Sequence, residues 1–121
     1  MSLFSDLGED LIAKVITEFY ERAFSDPIIG HFFFSKDKKH LITQQTQFVC
    51  VMLGSNVHEY LGKPLVKAHR NLIIKKSHFD RRQVIMSEAL SYFNIPENIC
   101  KKWLKLEEKF RSTIEKTSNN R

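Results

Sequence analysis

Apolar residues recur at three- and four-residue steps along most of the chain, the spacing that lines one face of an α-helix. No run alternates apolar and polar residues for long enough to make a strand, and only four Gly and three Pro punctuate the 121 residues. The pattern predicts an all-α fold. A first long helix is expected from Asp10 to Ser25, with Leu11, Ile12, Val15, Ile16, Phe19 and Ala23 on one side. It stops before Asp26-Pro27, because a residue ahead of proline is pushed out of the helical region. After the triplet Phe32-Phe33-Phe34, Ser35 or Asp37 is placed to cap a second helix that reaches Leu53 and closes at Gly54. Ser55 to Gly62 reads as loop, Pro64 to Leu72 as a short helix, and Ser77 as the cap of another that runs to Tyr92. Pro96 falls in the first turn of the last helix, which carries Ile99, Trp103, Leu106 and Phe110 on its buried face. Residues 116–121 read as a frayed tail.

Three polar residues interrupt the apolar faces. Gln45 completes the stripe of Leu41, Phe48 and Met52, where an unpaired amide would cost about 1–3 kcal/mol. Tyr20 follows Phe19 on the stripe of Ile16, Phe19, Ala23 and Phe24, and His69 comes four residues after Leu65 and three before Leu72. Each alone has an ordinary explanation, a tyrosine bonded to a carbonyl or a satisfied core histidine. Together they suit one buried object that needs a nitrogen ligand on one side and hydrogen-bond donors on the other. Haem is such an object: neutral imidazole ligates its iron, and the donors of the distal pocket decide the fate of a gas ligand. The aromatic load agrees. Six of the ten Phe (Phe19, Phe24, Phe32, Phe33, Phe34 and Phe48) fall in one thirty-residue window, as a flat apolar macrocycle would require.

The segments FYERAFSDPIIGHFF, HLITQQTQFVCVMLG, YLGKPLVKAH and HFD resemble the truncated haemoglobins, short globins that pack a two-over-two helical sandwich around haem. The resemblance runs from Leu3 to about Phe110 and makes residues 1–121 a single globin domain. It implies haem b as cofactor, with His69 as the iron ligand and Phe33 stacked on the ring, Phe32 or Phe34 being a near neighbour. Leu41, Gln44, Phe48 and Phe79 are further haem contacts on this reading, and Leu41 stands where other globins have a distal histidine. Tyr20 and Gln45 become the distal donors. The Tyr, Leu and Gln combination is most similar to the first group of the family, in which it accompanies tight dioxygen binding and nitric oxide dioxygenation. Four places depart from that group: Gly8-Glu9 replaces the usual Gly-Gly, Ser55-Asn56 follows Gly54, Val49 stands where some members have a second aromatic, and Arg82 lies three residues after Phe79, where an apolar residue or Trp is common. Either that helix is slightly turned, or Arg82 reaches a propionate or the pocket rim. His40 is the alternative for distal coordination, while His31, His58 and His78 read as loop or cap residues.

The net charge of +5 and pI near 9.3 permit contact with nucleic acid or a membrane surface. The charge concentrates in Lys63, Lys67, Arg70, Lys75, Lys76, Arg81 and Arg82, with Asp80 as the single acid among them. No recognition helix with a compact turn accompanies this stretch, so haem propionates or an acidic reductase are the expected partners rather than DNA. No apolar run approaches the ~20 residues of a membrane span. Cys50 and Cys100 lack metal-like spacing, and MSLFSDLGED has no basic start, so a reduced, cytoplasmic setting without a secretory signal is expected. The resulting expectation is a haem protein for dioxygen, nitric oxide and carbon monoxide that oxidises nitric oxide to nitrate. No flavin or nicotinamide segment fits in the chain, which calls for a separate reductase. A gas sensor or a ligand store without turnover is the alternative.

Overall fold

The computed structural model describes residues 2–60, 62 and 64–119. They form seven α-helices and one 3-10 turn, and no strand occurs among them: α1 (Leu3–Leu7), α2 (Glu9–Phe24), the 3-10 turn Gly30–Phe33, α3 (Lys38–Met52), α4 (Leu65–His69), α5 (Lys76–Tyr92), α6 (Glu97–Glu108) and α7 (Arg111–Asn119). Helix α2 packs on both α3 and α5, α5 packs on α6, and the short α4 rests chiefly on α7. The pairs α2/α3 and α5/α6 thus make two layers joined across α2 and α5.

The core follows from the stripes. Ile12, Val15, Ile16, Phe19 and Ala23 of α2 are buried against Val49 and Cys50 of α3 and against Ile85, Met86, Ala89 and Leu90 of α5, with Trp103 of α6 fully enclosed. Each large apolar side chain removed from water in this way contributes ~1.5–3 kcal/mol. Burial also raises the Cys50 thiol to about 11, so it packs as a small hydrophobe.

The turn after α2 is held by Asp26. Its carboxylate accepts the Ile28 and Ile29 N–H groups at 3.0 and 3.1 Å, and takes two hydrogen bonds from Arg81 of α5, from Nε at 2.9 Å and Nη2 at 2.7 Å. Gly30 then approaches the end of α2 so closely that a Cβ would meet the Phe24 carbonyl oxygen at 2.9 Å. That contact, rather than a special dihedral, requires glycine, and it brings Phe32 and Phe33 back towards α2.

Asp37 caps α3 by accepting the His40 N–H at 3.3 Å, and α3 ends in a turn at Gly54, whose φ of +107° suits glycine. Three boundaries differ from the periodic pattern. Helix α1 forms on an apolar face only one turn long, Leu3, Phe4 and Leu7 packed against the core, because Ser2 and Ser5 build a reciprocal capping box and the Phe4 N–H reaches the Leu53 carbonyl at 2.9 Å. Lys75, not Ser77, occupies the cap position of α5, since His78 Nδ1 accepts the Lys75 N–H at 2.9 Å. The last helix is broken at Lys109 into α6 and α7, and α7 extends through Asn119, so residues 116–119 are helical; Asn120 and Arg121 of the expected tail lie outside the described residues, as does Lys63 of the basic stretch.

His58 joins the loop after α3 to α2. Its Nδ1 is 2.6 Å from Ser55 Oγ, its Nε2 is 3.0 Å from Glu9 Oε1, and its ring stands edge-on to Phe4.

Candidate functional site

One cavity opens among α2, the 3-10 turn, α3, α4, α5 and the α6/α7 break, spanning about 1020 Å³ with the open solvent at its mouth included. Most of its wall is apolar, including Phe19, Phe33, Phe48, Leu65, Leu72 and Phe79. Six of the residues expected at the site line it together: Tyr20, Phe33, Gln45, Phe48, His69 and Phe79. Leu41 and Gln44 do not. Leu41 is packed, partly buried, against the core cluster, and Gln44 sits one helical step (about 100°) away from Gln45. His40 is exposed on the outer face of α3 and takes no part in the wall.

The phenylalanine triplet divides its labour. Phe33 stacks on Phe24 with ring centroids 5.2 Å apart and meets Tyr20 edge-on at 5.7 Å. Phe32 lines the cavity beside His78 at 5.0 Å, whereas Phe34 is 93% exposed. Phe48 is flanked by Tyr60 and Phe110, each at 5.3 Å, and both also line the cavity.

His69 ends α4, where Nδ1 lies 2.8 Å from the Leu65 carbonyl oxygen one turn back. A carbonyl only accepts, so Nδ1 carries the proton and Nε2 keeps its lone pair. Burial holds the pKa below the ordinary histidine value; the bond to Leu65 opposes this and the charge of Arg82 adds to it. The ring is therefore a neutral donor of one lone pair in the cavity wall, the state an iron ligand needs.

Tyr20 is 7% exposed, and its hydroxyl has no hydrogen-bond partner among the described residues. Burial pushes its pKa up to about 12, with Arg82 opposing and Glu107 and Tyr60 reinforcing the rise. The group stays a neutral O–H. No fully buried side-chain oxygen or nitrogen is unpaired among the described residues, so this oxygen opens into the cavity. Gln45 adds its amide on the next helix. An imidazole lone pair, two hydroxyl and amide donors and broad aromatic walls match the ligation, polarity and flatness of haem.

The main feature that sequence periodicity missed is the partner of Arg82. Its Nη2 donates to Glu107 Oε2 at 3.0 Å, its Nη1 to Glu107 Oε1, and its guanidinium lies 4.9 Å above the Phe19 ring. The Trp103 indole N–H completes the carboxylate's shell at 3.1 Å from Oε2. Of the alternatives for Arg82, the structure places it in the cavity wall, committed to a carboxylate. Trp103 and Glu107, four apart on a helix and so on one face, were the available signal.

A model of the bacterial-like globin family matches residues 2–116, and the chain belongs to that family. It is 28% identical over 107 residues to a group 1 truncated haemoglobin of Tetrahymena pyriformis, covering 88% of each chain. The crystal structure of the truncated haemoglobin from that organism in its Fe(III) form superposes with a TM-score of 0.89 at 25% identity, over 94% of this chain and 97% of the other. The two-over-two haemoglobin of a Synechococcus species, in the cyanomet state with covalently attached haem, shares the fold with a TM-score of 0.88 at 19% identity, over 96% and 99%. The fold is the two-over-two sandwich, haem iron is the cofactor, and small gases such as dioxygen are the ligand class. No helix among the described residues is long and apolar enough to cross a membrane.

Proposed function

We propose that this chain binds dioxygen under Tyr20 and Gln45 and converts nitric oxide to nitrate, with His69 as the residue that would hold the iron. The observation that carries the reading is the unpaired Tyr20 hydroxyl, buried in an apolar cavity that also holds the free Nε2 of His69. When bound, haem supplies an iron that ligates a diatomic gas and exchanges one electron. The chain's residues do the rest. His69 presents a fixed tautomer, because the Leu65 carbonyl holds its Nδ1 proton. Tyr20 and Gln45 donate towards a ligand that carries negative charge, and the apolar surround keeps water from competing for those bonds. Phe33 holds the Tyr20 ring edge-on and so fixes where the hydroxyl points.

The net reaction takes nitric oxide, dioxygen and one electron to nitrate. The electron comes from a separate reductase in the reducing cytoplasm, a setting that two free thiols suit. Lys67, Arg70 and Lys75 are exposed beside the helix that carries His69, and they form a basic face for an acidic donor.

Rapid mixing of the dioxygen-loaded protein with nitric oxide tests the reading. One nitrate per haem and conversion to the ferric spectrum within the mixing experiment support it, with sustained turnover once a reductant is added. Slow conversion without nitrate assigns the protein to sensing or storage instead.

A further inference from the structure

A guanidinium in the wall of an apolar cavity calls for an explanation beyond packing, because a buried ion pair generally recovers little more than its desolvation cost. Arg82 has five N–H groups. Two go to Glu107 and one to Gln83, through Nη1 to Glu107 Oε1, Nη2 to Glu107 Oε2 and Nη1 to Gln83 Oε1. The other two, on Nε and Nη2, have no partner among the described residues. The pair is also polarised in one direction. Arg82 keeps 19% of its side-chain surface, Glu107 keeps 5% and Trp103 none, and both charged residues line the cavity. The guanidinium is therefore the more accessible end of the pair, with the carboxylate and the indole enclosed behind it. Phe19 lies against the face of the guanidinium and leaves its edge as the donor surface.

We propose that Arg82, held by Glu107 and Trp103, makes this cavity select small monovalent anions over neutral ligands of similar size. Tyr20 stands within electrostatic range of both Arg82 and Glu107, so the neutral hydroxyl and the fixed cation act on the same space. A low-dielectric wall concentrates the field of such a cation on whatever enters. Glu107 holds the guanidinium in one orientation while leaving the two edge donors for the ligand. The site's substrate class then extends from gases to anions, and nitrate, the product of the proposed reaction, belongs to the class it would hold.

The inference rests on haem occupying the cavity and not on turnover of nitric oxide. The test uses the ferric, haem-loaded protein and measures dissociation constants for azide, an anion, and nitric oxide, a neutral ligand, from the shift of the haem absorption band. The pair is removed as a unit in the double variant Arg82→Met/Glu107→Leu, which avoids stranding a buried carboxylate, and the charge is kept in Arg82→Lys. Azide affinity should fall by about tenfold or more in the double variant, the ratio one charge-assisted hydrogen bond supplies. Nitric oxide affinity should stay within about twofold on the same scale, and Arg82→Lys, which keeps the charge but not the two-donor edge, should fall between the unsubstituted protein and the double variant in azide affinity. Unchanged azide binding, or a parallel loss for both ligands, overturns the proposal, the second result assigning the pair to packing. Loss of haem from both variants likewise overturns it by giving the pair to cofactor retention. Absence of a haem band in the unsubstituted protein would instead strike the reading of the cavity itself.

Discussion

His69 and Leu65 are joined by a hydrogen bond of 2.8 Å from the ring Nδ1 to the backbone carbonyl, within one turn of α4. The bond fixes both the tautomer and the rotation of the imidazole, so the Nε2 lone pair is set before any ligand arrives. His69→Ala should abolish stable haem retention, or leave a site that added imidazole restores. An unchanged haem spectrum in that variant would reject the assignment, and the exposed position of His40 leaves it poorly placed as a substitute.

The Tyr20 hydroxyl should reveal its burial on alkaline titration. With a folded value of about 12 against about 10 when unfolded, the folded chain holds this proton longer. Stability from the buried phenol is complete below about pH 10 and is lost as pH rises towards 12. Ultraviolet titration of the three tyrosines should show a late phase that is absent in Tyr20→Phe. A titration identical in both proteins would show the hydroxyl to be wet.

Asp26 predicts the opposite, acidic limb. The Arg81 hydrogen bond holds its carboxyl below the usual carboxylate value, with burial opposing and the Ile29 and Ile28 N–H groups assisting. The stabilisation is therefore full above the unfolded pKa of about 3.9 and is lost as pH falls below it through the depressed folded value. Asp26→Asn should be less stable at neutral pH and should show a flatter loss of stability between about pH 4 and pH 2, followed by circular dichroism. Equal slopes in the two proteins would remove Asp26 from the acid transition.

Legibility of the fold differed by element, for physical reasons. Helices α2 and α3 were readable because each combines a long apolar stripe with a stop, Asp26-Pro27 or Gly54, that has no helical alternative. Helix α1 was not, since five residues give Leu3, Phe4 and Leu7 only a single turn in which to show a period. The α5 start falls before the Ser77 that the pattern offers, because a histidine side chain, rather than a Ser or Thr, satisfies the Lys75 N–H. At the site, Tyr20, Gln45 and His69 stood out as polar breaks in apolar faces, a local signal. The Arg82–Glu107 pair spans 25 residues and exists only because α5 packs on α6, so a reading of single helices could not assemble it.

If Tyr20 and Gln45 face inward to hydrogen-bond a charged ligand, dissociation rates of dioxygen and carbon monoxide show it most directly. A charge-assisted hydrogen bond contributes ~1.5–3 kcal/mol, so Tyr20→Phe should raise the dioxygen off-rate by about one to two orders of magnitude. Carbon monoxide, which carries less charge, should respond far less. Gln45→Leu should act in the same direction but more weakly, and the double variant should fall short of the product of the two, as donors to one ligand do. Dioxygen and carbon monoxide rates that change in parallel would contradict the account, leaving both residues to act by steric access alone.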